Sequence, residues 1–174
     1  MCGIVGVLNF DNEPVSSVVL RNMSDIIKHR GPDGEGQWLE DNFGIGHRRL
    51  AIIDLTPAGH QPMMSTNNRY VISYNGEVYN YLELRAELEA KGHWFHSQTD
   101  TEVVLNAFCE WGDGALSRLN GMFAFAIWDR MEKRLTLARD RYGIKPLYIH
   151  KQKNCLMFAS EIKAFYQHPG MEKK

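Results

Sequence analysis

The chain has 174 residues, with 20 Lys and Arg against 21 Asp and Glu, and its formal net charge is −1. This length suits one domain that buries a sizeable core without disulfides or a structural metal. The balanced charge includes no basic block of the kind that binds nucleic acid or an anionic membrane. No apolar stretch approaches the roughly 20 residues that span a bilayer, and no cationic and apolar leader pattern precedes these stretches. We therefore expect a cytoplasmic protein that binds neither nucleic acid nor membrane.

The first elements predicted along the chain are a strand and a helix. Residues 3–9 form an apolar run that predicts a buried strand, and apolar residues recur at helical spacing over residues 15–28, directly after Pro14. Residues 29–36 are rich in Gly and Pro and predict a loop. Short strands are expected after it at residues 37–40 and 43–53.

The second part of the chain alternates helices with further strands. After a loop at residues 56–62 we expect a strand over residues 70–74, with Asn75-Gly76 as a turn or strand end. Two helices are expected at residues 81–91 and 100–111, each ending at a glycine. The remaining predicted elements are strands at 121–129, 134–139, 146–150 and 156–160 and a short helix at 161–166. This order favours an α+β fold with antiparallel sheets over a parallel doubly wound sheet.

The three cysteines of the chain are an odd and widely spaced set, at positions 2, 109 and 155. None belongs to a Cys-x-x-Cys pair, so disulfides and metal ligation are disfavoured. Cys2 is distinctive, because removal of Met1 would leave one residue with both a thiol and a free α-amine. The ordinary pKa values of these groups, about 8.5 and about 7.7 to 8.0, allow the amine to act as the base for the thiol. Taken alone, Cys2 is equally compatible with a small apolar residue entering a strand.

Six segments in order raise the significance of Cys2. They are Met1-Cys2-Gly3-Ile4-Val5-Gly6, His29-Arg30-Gly31-Pro32-Asp33, Gly46-His47-Arg48-Arg49-Leu50-Ala51-Ile52-Ile53-Asp54, Asn75-Gly76-Glu77-Val78-Tyr79-Asn80, Thr99-Asp100-Thr101-Glu102 and Arg139-Asp140-Arg141-Tyr142-Gly143-Ile144-Lys145-Pro146-Leu147-Tyr148. Together they resemble the glutaminase domain of class II glutamine amidotransferases, and most of all the asparagine synthetase branch. The resemblance implies an N-terminal nucleophile hydrolase fold, a four-layer αββα sandwich with two antiparallel sheets. No metal is expected, because the cysteines and histidines lack ligand spacing.

The resemblance implies a catalytic role for three residues. Cys2 would attack the side-chain amide carbon of L-glutamine and form a thioester, while its own amine moves the proton to the departing ammonia. The Asn75 side-chain amide and the Gly76 N–H would form the oxyanion hole. A plain hairpin turn is the alternative explanation for Asn75-Gly76. Arg30 is a supporting candidate that would steady the thiolate or close the pocket.

Substrate binding is also assigned by the resemblance. Arg49 would clamp the α-carboxylate of glutamine, with Arg48 as its rival. Asp100 would accept the α-ammonium with Glu77 nearby, although capping of the helix that follows would explain Asp100 equally well. The main chain of four successive residues would form the pocket wall: Leu50, Ala51, Ile52 and Ile53.

The function implied is hydrolysis of L-glutamine to L-glutamate and ammonia, which supplies an ATP-dependent amidation of the asparagine synthetase type. The amidotransferase domain is expected over residues 2–166, and residues 167–174 would be a tail or a truncated junction to a synthetase domain. That partner, in cis or in trans, would carry ATP and Mg²⁺, whereas this domain needs no cofactor; the resemblance also allows a homodimer. Two alternatives stay open: an amidotransferase for a sugar or another carboxylate, and a non-catalytic module that senses glutamine.

Overall fold

The structure of the protein is a computed structural model that describes residues 1–171. The chain folds into two compact units. The first unit contains Met1–Leu50 and the chain from Pro146 onward, and the second contains Ala51–Lys145. Each unit has one antiparallel sheet and its own hydrophobic core. The predicted α+β class with two antiparallel sheets is therefore confirmed.

The sheet of the first unit has five strands. They are β1 (Gly3–Asn9), β2 (Gly34–Glu40), β3 (Phe43–Arg49), β8 (Tyr148–Lys151) and β9 (Cys155–Ala159), in the spatial order β2-β3-β1-β9-β8. Helix α1 (Ser17–Asp25) buries Leu20 and Met23 in the same core as Val5 and Val7 of β1. Short 3-10 helices occupy Lys28–Arg30 and Ile162–Gln167. Because β1 lies at the centre of the sheet, its apolar run is buried.

The sheet of the second unit has four strands. They are β4 (Met63–Met64), β5 (Tyr70–Val78), β6 (Gly121–Asp129) and β7 (Arg134–Arg139), in the order β4-β5-β6-β7. Its helices are α2 (Tyr81–Ala90), α3 (Asp100–Trp111) and α4 (Ala115–Arg118), with 3-10 turns at Pro57–Gly59 and Gly112–Gly114. Apolar side chains of α3 and β5 share one core, which includes Val104, Phe108 and Ile72.

The sequence predicted several boundaries of the second unit correctly. Helix α3 and strands β6 and β7 begin and end at the predicted residues. Gly92 follows α2 with φ +93° and Gly112 follows α3 with φ +55°, backbone conformations that glycine adopts without strain. Local capping and turn chemistry decides these boundaries, which is why the pattern alone is sufficient.

Other boundaries differ from the prediction for identifiable reasons. Helix α1 begins at Ser17 and not after Pro14, because the Ser16 side chain accepts a hydrogen bond from the Val19 N–H and caps the helix. It ends at Asp25, three residues before the predicted end. Strand β3 ends at Arg49 instead of Ile53, because its two neighbours stop pairing there: Arg48 lies opposite Gly3, and Arg49 opposite Gly34.

The C-terminal segment is only partly described. The predicted helix at residues 161–166 is a 3-10 helix, Ile162–Gln167. Residues 172–174 of the expected tail lie outside the described residues, so the boundary between 2–166 and 167–174 stays a prediction. Among residues 1–171, no helix combines the length and the apolar character that crossing a bilayer requires.

Candidate functional site

Cys2 lies directly before β1 and is half-buried. Its Sγ accepts a hydrogen bond from the Leu50 N–H at 3.3 Å, and the thiol can donate to the Leu50 carbonyl at 3.6 Å. Leu50 follows β3, which pairs with β1, so the register of these two strands brings the two residues together. The sulfur therefore has one main-chain donor and one main-chain acceptor, both from Leu50.

Arg30 contacts the main chain of the same cysteine. Its Nε donates to the Cys2 carbonyl at 3.0 Å, and its Nη1 donates to Glu161 Oε1 at 3.1 Å. The Nη2 group is buried and has no hydrogen-bond acceptor within residues 1–171. Gly31 is required next to it, because a Cβ there would overlap the main chain of Arg48 and Arg49.

The two neighbouring arginines of β3 have different surroundings. Arg48 is buried, its Nε donates to the Ser24 carbonyl at 3.2 Å, and its guanidinium forms ion pairs with Asp25 and Glu35. These partners come from α1 and β2, so Arg48 stabilises the first unit. Arg49 is half-buried at the end of the strand, and its carbonyl accepts from the Asp33 N–H. Arg48 is therefore committed to contacts within the first unit, and the ligand role of Arg49 stays a prediction.

Asn75 and Gly76 lie inside β5 and not in a turn. They pair with Ala124 and Phe123 of β6. This strand pairing shows that the predicted turn is wrong. A Cβ on Gly76 would come within 2.5 Å of the Met122 carbonyl oxygen, so this glycine allows the two strands to approach closely. A two-residue hairpin turn of the Asn-Gly type would require a positive φ at Gly76, and its φ is not positive.

The Asn75 side chain is 2% exposed, and its Nδ2 group has no hydrogen-bond acceptor among the described residues. A buried donor without an acceptor costs about 1–3 kcal/mol, and such groups are rare in folded proteins. A neutral N–H donor of this kind is suited to an oxygen that becomes negative during a reaction.

Asp100 is the first residue of α3 and is 5% exposed. Its Oδ2 accepts from the Tyr74 hydroxyl at 2.7 Å and from the Val78 N–H at 3.0 Å. Burial raises the pKa of Asp100, while the bonds from Tyr74 and Val78 oppose this rise. Within residues 1–171 the carboxylate forms no ion pair, and the exposed Glu77 adds repulsion. A buried carboxylate that lacks a cation is suited to a positively charged ligand.

The helix cap is Thr99 and not Asp100, so the capping explanation for Asp100 is wrong. The Thr99 hydroxyl accepts from the Glu102 N–H, as a Thr-x-x-Glu capping sequence predicts. The buried Glu102 carboxylate accepts from the N–H groups of His96 and Ser97 and from the Ser97 hydroxyl. Sequence reasoning missed Glu102 and Tyr74, although the capping pattern was a signal for the first. Both side chains hold the start of α3 in place.

The main chain after β3 divides between the units. Leu50 belongs to the first unit, where it contacts Cys2, whereas Ala51, Ile52 and Ile53 belong to the second. Ile52 and Ile53 are exposed. Asp54, which follows, accepts from the Gln98 N–H at 3.0 Å and so ties this segment to the residues before α3.

The predicted site residues therefore lie in two groups, each within its own unit. Cys2, Arg30, Arg49 and Leu50 belong to the first unit, and the second contains Ala51, Ile52, Ile53, Asn75, Gly76, Glu77 and Asp100. No group of three or more His, Cys, Asp or Glu side chains within residues 1–171 is arranged to hold a metal ion. The expectation that this domain needs no cofactor stays a prediction.

Residues 1–174 match the family model described as a glutamine amidotransferase domain. The chain belongs to the glutamine amidotransferase domain family. It is 43% identical to asparagine synthetase [glutamine-hydrolyzing] 3 of Bacillus subtilis, a match that covers 99% of this chain and 28% of that protein. It is 40% identical to the amidase chry2 of Gibberella zeae over 95% of this chain and 26% of that protein. The amidotransferase domain thus spans about a quarter of the length of these curated relatives.

Solved structures show the same fold at lower identity. The glutamine phosphoribosylpyrophosphate amidotransferase of B. subtilis, complexed with ADP and GMP, matches with a TM-score of 0.81 and 24% identity, over 95% of this chain and 43% of that chain. The predicted membership of the class II glutamine amidotransferases and the predicted N-terminal nucleophile hydrolase fold are confirmed. The role of each site residue in this amidotransferase domain stays a prediction.

Proposed function

We propose that the chain hydrolyses L-glutamine to L-glutamate and ammonia through a thioester on Cys2. The observation that carries the proposal is that the second unit contains two buried polar groups, each of which lacks a complementary partner among the described residues. The Asn75 amide lacks an acceptor, and the Asp100 carboxylate lacks a cation, within residues 1–171. A glutamine molecule has an ammonium for the carboxylate, and its amide oxygen becomes an oxyanion that needs a donor.

In the proposed reaction, removal of Met1 frees the α-amine of Cys2. The amine takes the thiol proton as Sγ attacks the amide carbon, and it then gives the proton to the departing ammonia. The Leu50 N–H, 3.3 Å from Sγ, supports negative charge on sulfur before the attack. Water then cleaves the thioester and releases glutamate.

Four residues of the second unit and one arginine complete the proposal. The Asn75 side chain and the Gly76 N–H stabilise the oxyanion, while Asp100 holds the α-ammonium with Glu77 nearby. Arg49 binds the α-carboxylate, which is supported by the engagement of its neighbour Arg48 with Asp25 and Glu35. The main chain of residues 50–53 forms the pocket wall.

The ammonia is proposed to serve an ATP-dependent amidation of the asparagine synthetase type. Support comes from relatives named glutamine-hydrolysing asparagine synthetases, of which this chain matches 28% or less among those from B. subtilis. The rest of such a protein, in cis or as a separate subunit, would bind ATP and Mg²⁺. Amidation of a sugar or of another carboxylate is the alternative for the same glutaminase.

The decisive experiment compares the wild-type chain with Cys2→Ala. Glutamate release should be abolished in the variant, while calorimetry should still detect the binding of glutamine, because the variant loses only the nucleophile. Cys109→Ala is the matched control, since that thiol lies on α3 and is expected to leave turnover unchanged. Turnover by Cys2→Ala near the wild-type rate contradicts the proposal. A wild-type chain that binds glutamine without releasing glutamate would instead be a sensing module.

The state of the N-terminus provides a second test. Intact-mass measurement distinguishes chains with and without Met1, and only chains that begin at Cys2 should hydrolyse glutamine. Full activity in a preparation that retains Met1 would rule out the α-amine as the base.

A further inference from the structure

Glu161 lies between β9 and the 3-10 helix Ile162–Gln167, and its carboxylate meets three basic side chains. Oε1 lies 2.8 Å from His29 Nε2 and 3.1 Å from Arg30 Nη1, and Oε2 lies 3.0 Å from Lys163 Nζ. Burial alone raises the pKa of Glu161, but the bonds from Lys163, Arg30 and His29 hold it below its ordinary value. The carboxylate is therefore ionised at neutral pH.

Arg30 connects this carboxylate to the residue that we propose as nucleophile. Its side chain is 10% exposed, and it donates through Nη1 to Glu161 and through Nε to the Cys2 carbonyl. Because a guanidinium is planar and rigid, bonds at two of its nitrogens fix both its position and its plane. The bond to Glu161 therefore determines where the donor to Cys2 lies.

The residue before Glu161 is attached to the same stretch of chain. Ser160 is fully buried, its Oγ accepts from the Ile4 N–H at 3.0 Å, and its own N–H donates to the Ile4 carbonyl at 2.9 Å. The segment Ser160-Glu161 thus holds Ile4 directly and Cys2 through Arg30. A first residue of a chain is poorly ordered unless such contacts fix it. After removal of Met1, Cys2 has only one covalent neighbour.

We propose that Glu161 is a positioning residue for Cys2 and acts through Arg30. The inference rests on the proposed function of Cys2 as nucleophile. Without the carboxylate, Arg30 loses one of its two anchors, and the Cys2 carbonyl loses a fixed donor. Rotation of the first residue then moves both the thiol and the α-amine, the two groups that must act together on the amide. Glutamine binding is unaffected, because neither charged group of the substrate contacts Glu161 in this mechanism.

The test measures kcat and KM for glutamine in the full chain with Glu161→Ala, Glu161→Gln and the control Glu35→Gln. Glu35 is the matched control, because it pairs with Arg48, another arginine of this unit. We expect Glu161→Ala to lower kcat about tenfold to a hundredfold, as small misplacements of reacting groups do, with KM unchanged within about twofold because the loss is confined to the transition state. Glu161→Gln should recover part of kcat, since its amide oxygen still accepts from Arg30.

A second readout does not require glutamine. Iodoacetamide alkylation of Cys2, followed by peptide mass spectrometry, should be slower in Glu161→Ala, while alkylation of Cys109 and Cys155 serves as the internal reference. If the wild-type chain fails to release glutamate, the proposed function fails, and the alkylation rates still decide the inference.

Wild-type kcat and alkylation rates in Glu161→Ala would overturn the inference. An equal loss of kcat in Glu35→Gln would also overturn it, because the effect would then reflect general stability. If circular dichroism shows that Glu161→Ala does not fold, the Glu161→Gln variant tests the positioning role. A kcat below the wild-type value with unchanged KM supports the role, and a wild-type kcat with a wild-type alkylation rate contradicts it.

Discussion

The exchange Asp100→Asn separates the proposed ligand role of this carboxylate from its structural role. Oδ2 of Asp100 accepts from the Tyr74 hydroxyl and the Val78 N–H. An amide oxygen has two lone pairs and can accept both bonds, so the exchange removes the charge and retains these contacts. The α-ammonium of glutamine would then lose its anionic partner.

The expected loss follows from the kind of bond that is removed. Hydrogen bonds to charged groups contribute about 1.5–3 kcal/mol. Since each 1.4 kcal/mol corresponds to about a tenfold change in binding, kcat/KM for glutamine should fall about 10-fold to 150-fold. The loss should appear mainly in KM. The fold itself should not suffer, because a buried charge without a counter-ion opposes folding.

The pH dependence of stability has a definite sign. The pKa of Asp100 is raised by burial, so its contribution to stability is fully present below the unfolded pKa of about 3.9 and is lost as pH rises through the folded value. The free energy of unfolding of the wild type, relative to Asp100→Asn, should therefore decrease as pH rises from about 4 to neutrality. At pH 7 the variant should be at least as stable as the wild type.

Asp129→Asn is the matched control, because Asp129 is also buried in the second unit but pairs with Arg69. Burial alone raises the pKa of Asp129, yet the bonds from Arg69 and from main-chain N–H groups lower it overall. The contribution of Asp129 to the free energy of unfolding is therefore present above its unfolded pKa and lost in acid. Asp129→Asn should thus be less stable than the wild type at pH 7. Urea unfolding at several pH values and glutamine kinetics measure both effects. An unchanged KM in Asp100→Asn would contradict the ligand role of this carboxylate, and marked destabilisation at pH 7 would show that its charge stabilises the fold.

Four further substitutions test other parts of the structure. Asn75→Ala should lower kcat by about 10²–10³-fold with little change in glutamine binding, as loss of one oxyanion donor does; an effect on KM alone would reassign Asn75 to substrate recognition. Arg49→Ala should raise KM for glutamine, whereas Arg48→Ala should reduce the free energy of urea unfolding, and the opposite pattern would exchange their roles. Gly6→Ala should destabilise the first unit by about 1–3 kcal/mol, because the new Cβ overlaps the buried Phe158 ring; thermal unfolding at the wild-type temperature would show that the ring can move.

Elements whose boundaries depend on local chemistry could be predicted from the sequence. The apolar run of β1, the glycines that end α2 and α3, and the limits of β6 and β7 were all predictable. So was the family, because six separate segments each retain the residues that the chemistry requires. The Thr-x-x-Glu sequence at residues 99–102 also contained the correct cap, which local reasoning could have identified.

The partners of neighbouring polar residues depend on the tertiary structure. Arg48 and Arg49 are the same residue type on one strand, and they differ because Asp25 and Glu35 come from other elements to pair with Arg48. Asn75-Gly76 is a turn signal by itself and becomes a strand because it pairs with β6. The contact between Arg30 and Glu161 joins residues 131 positions apart. Pairings at such distances depend on sheet register and packing, which no local pattern specifies.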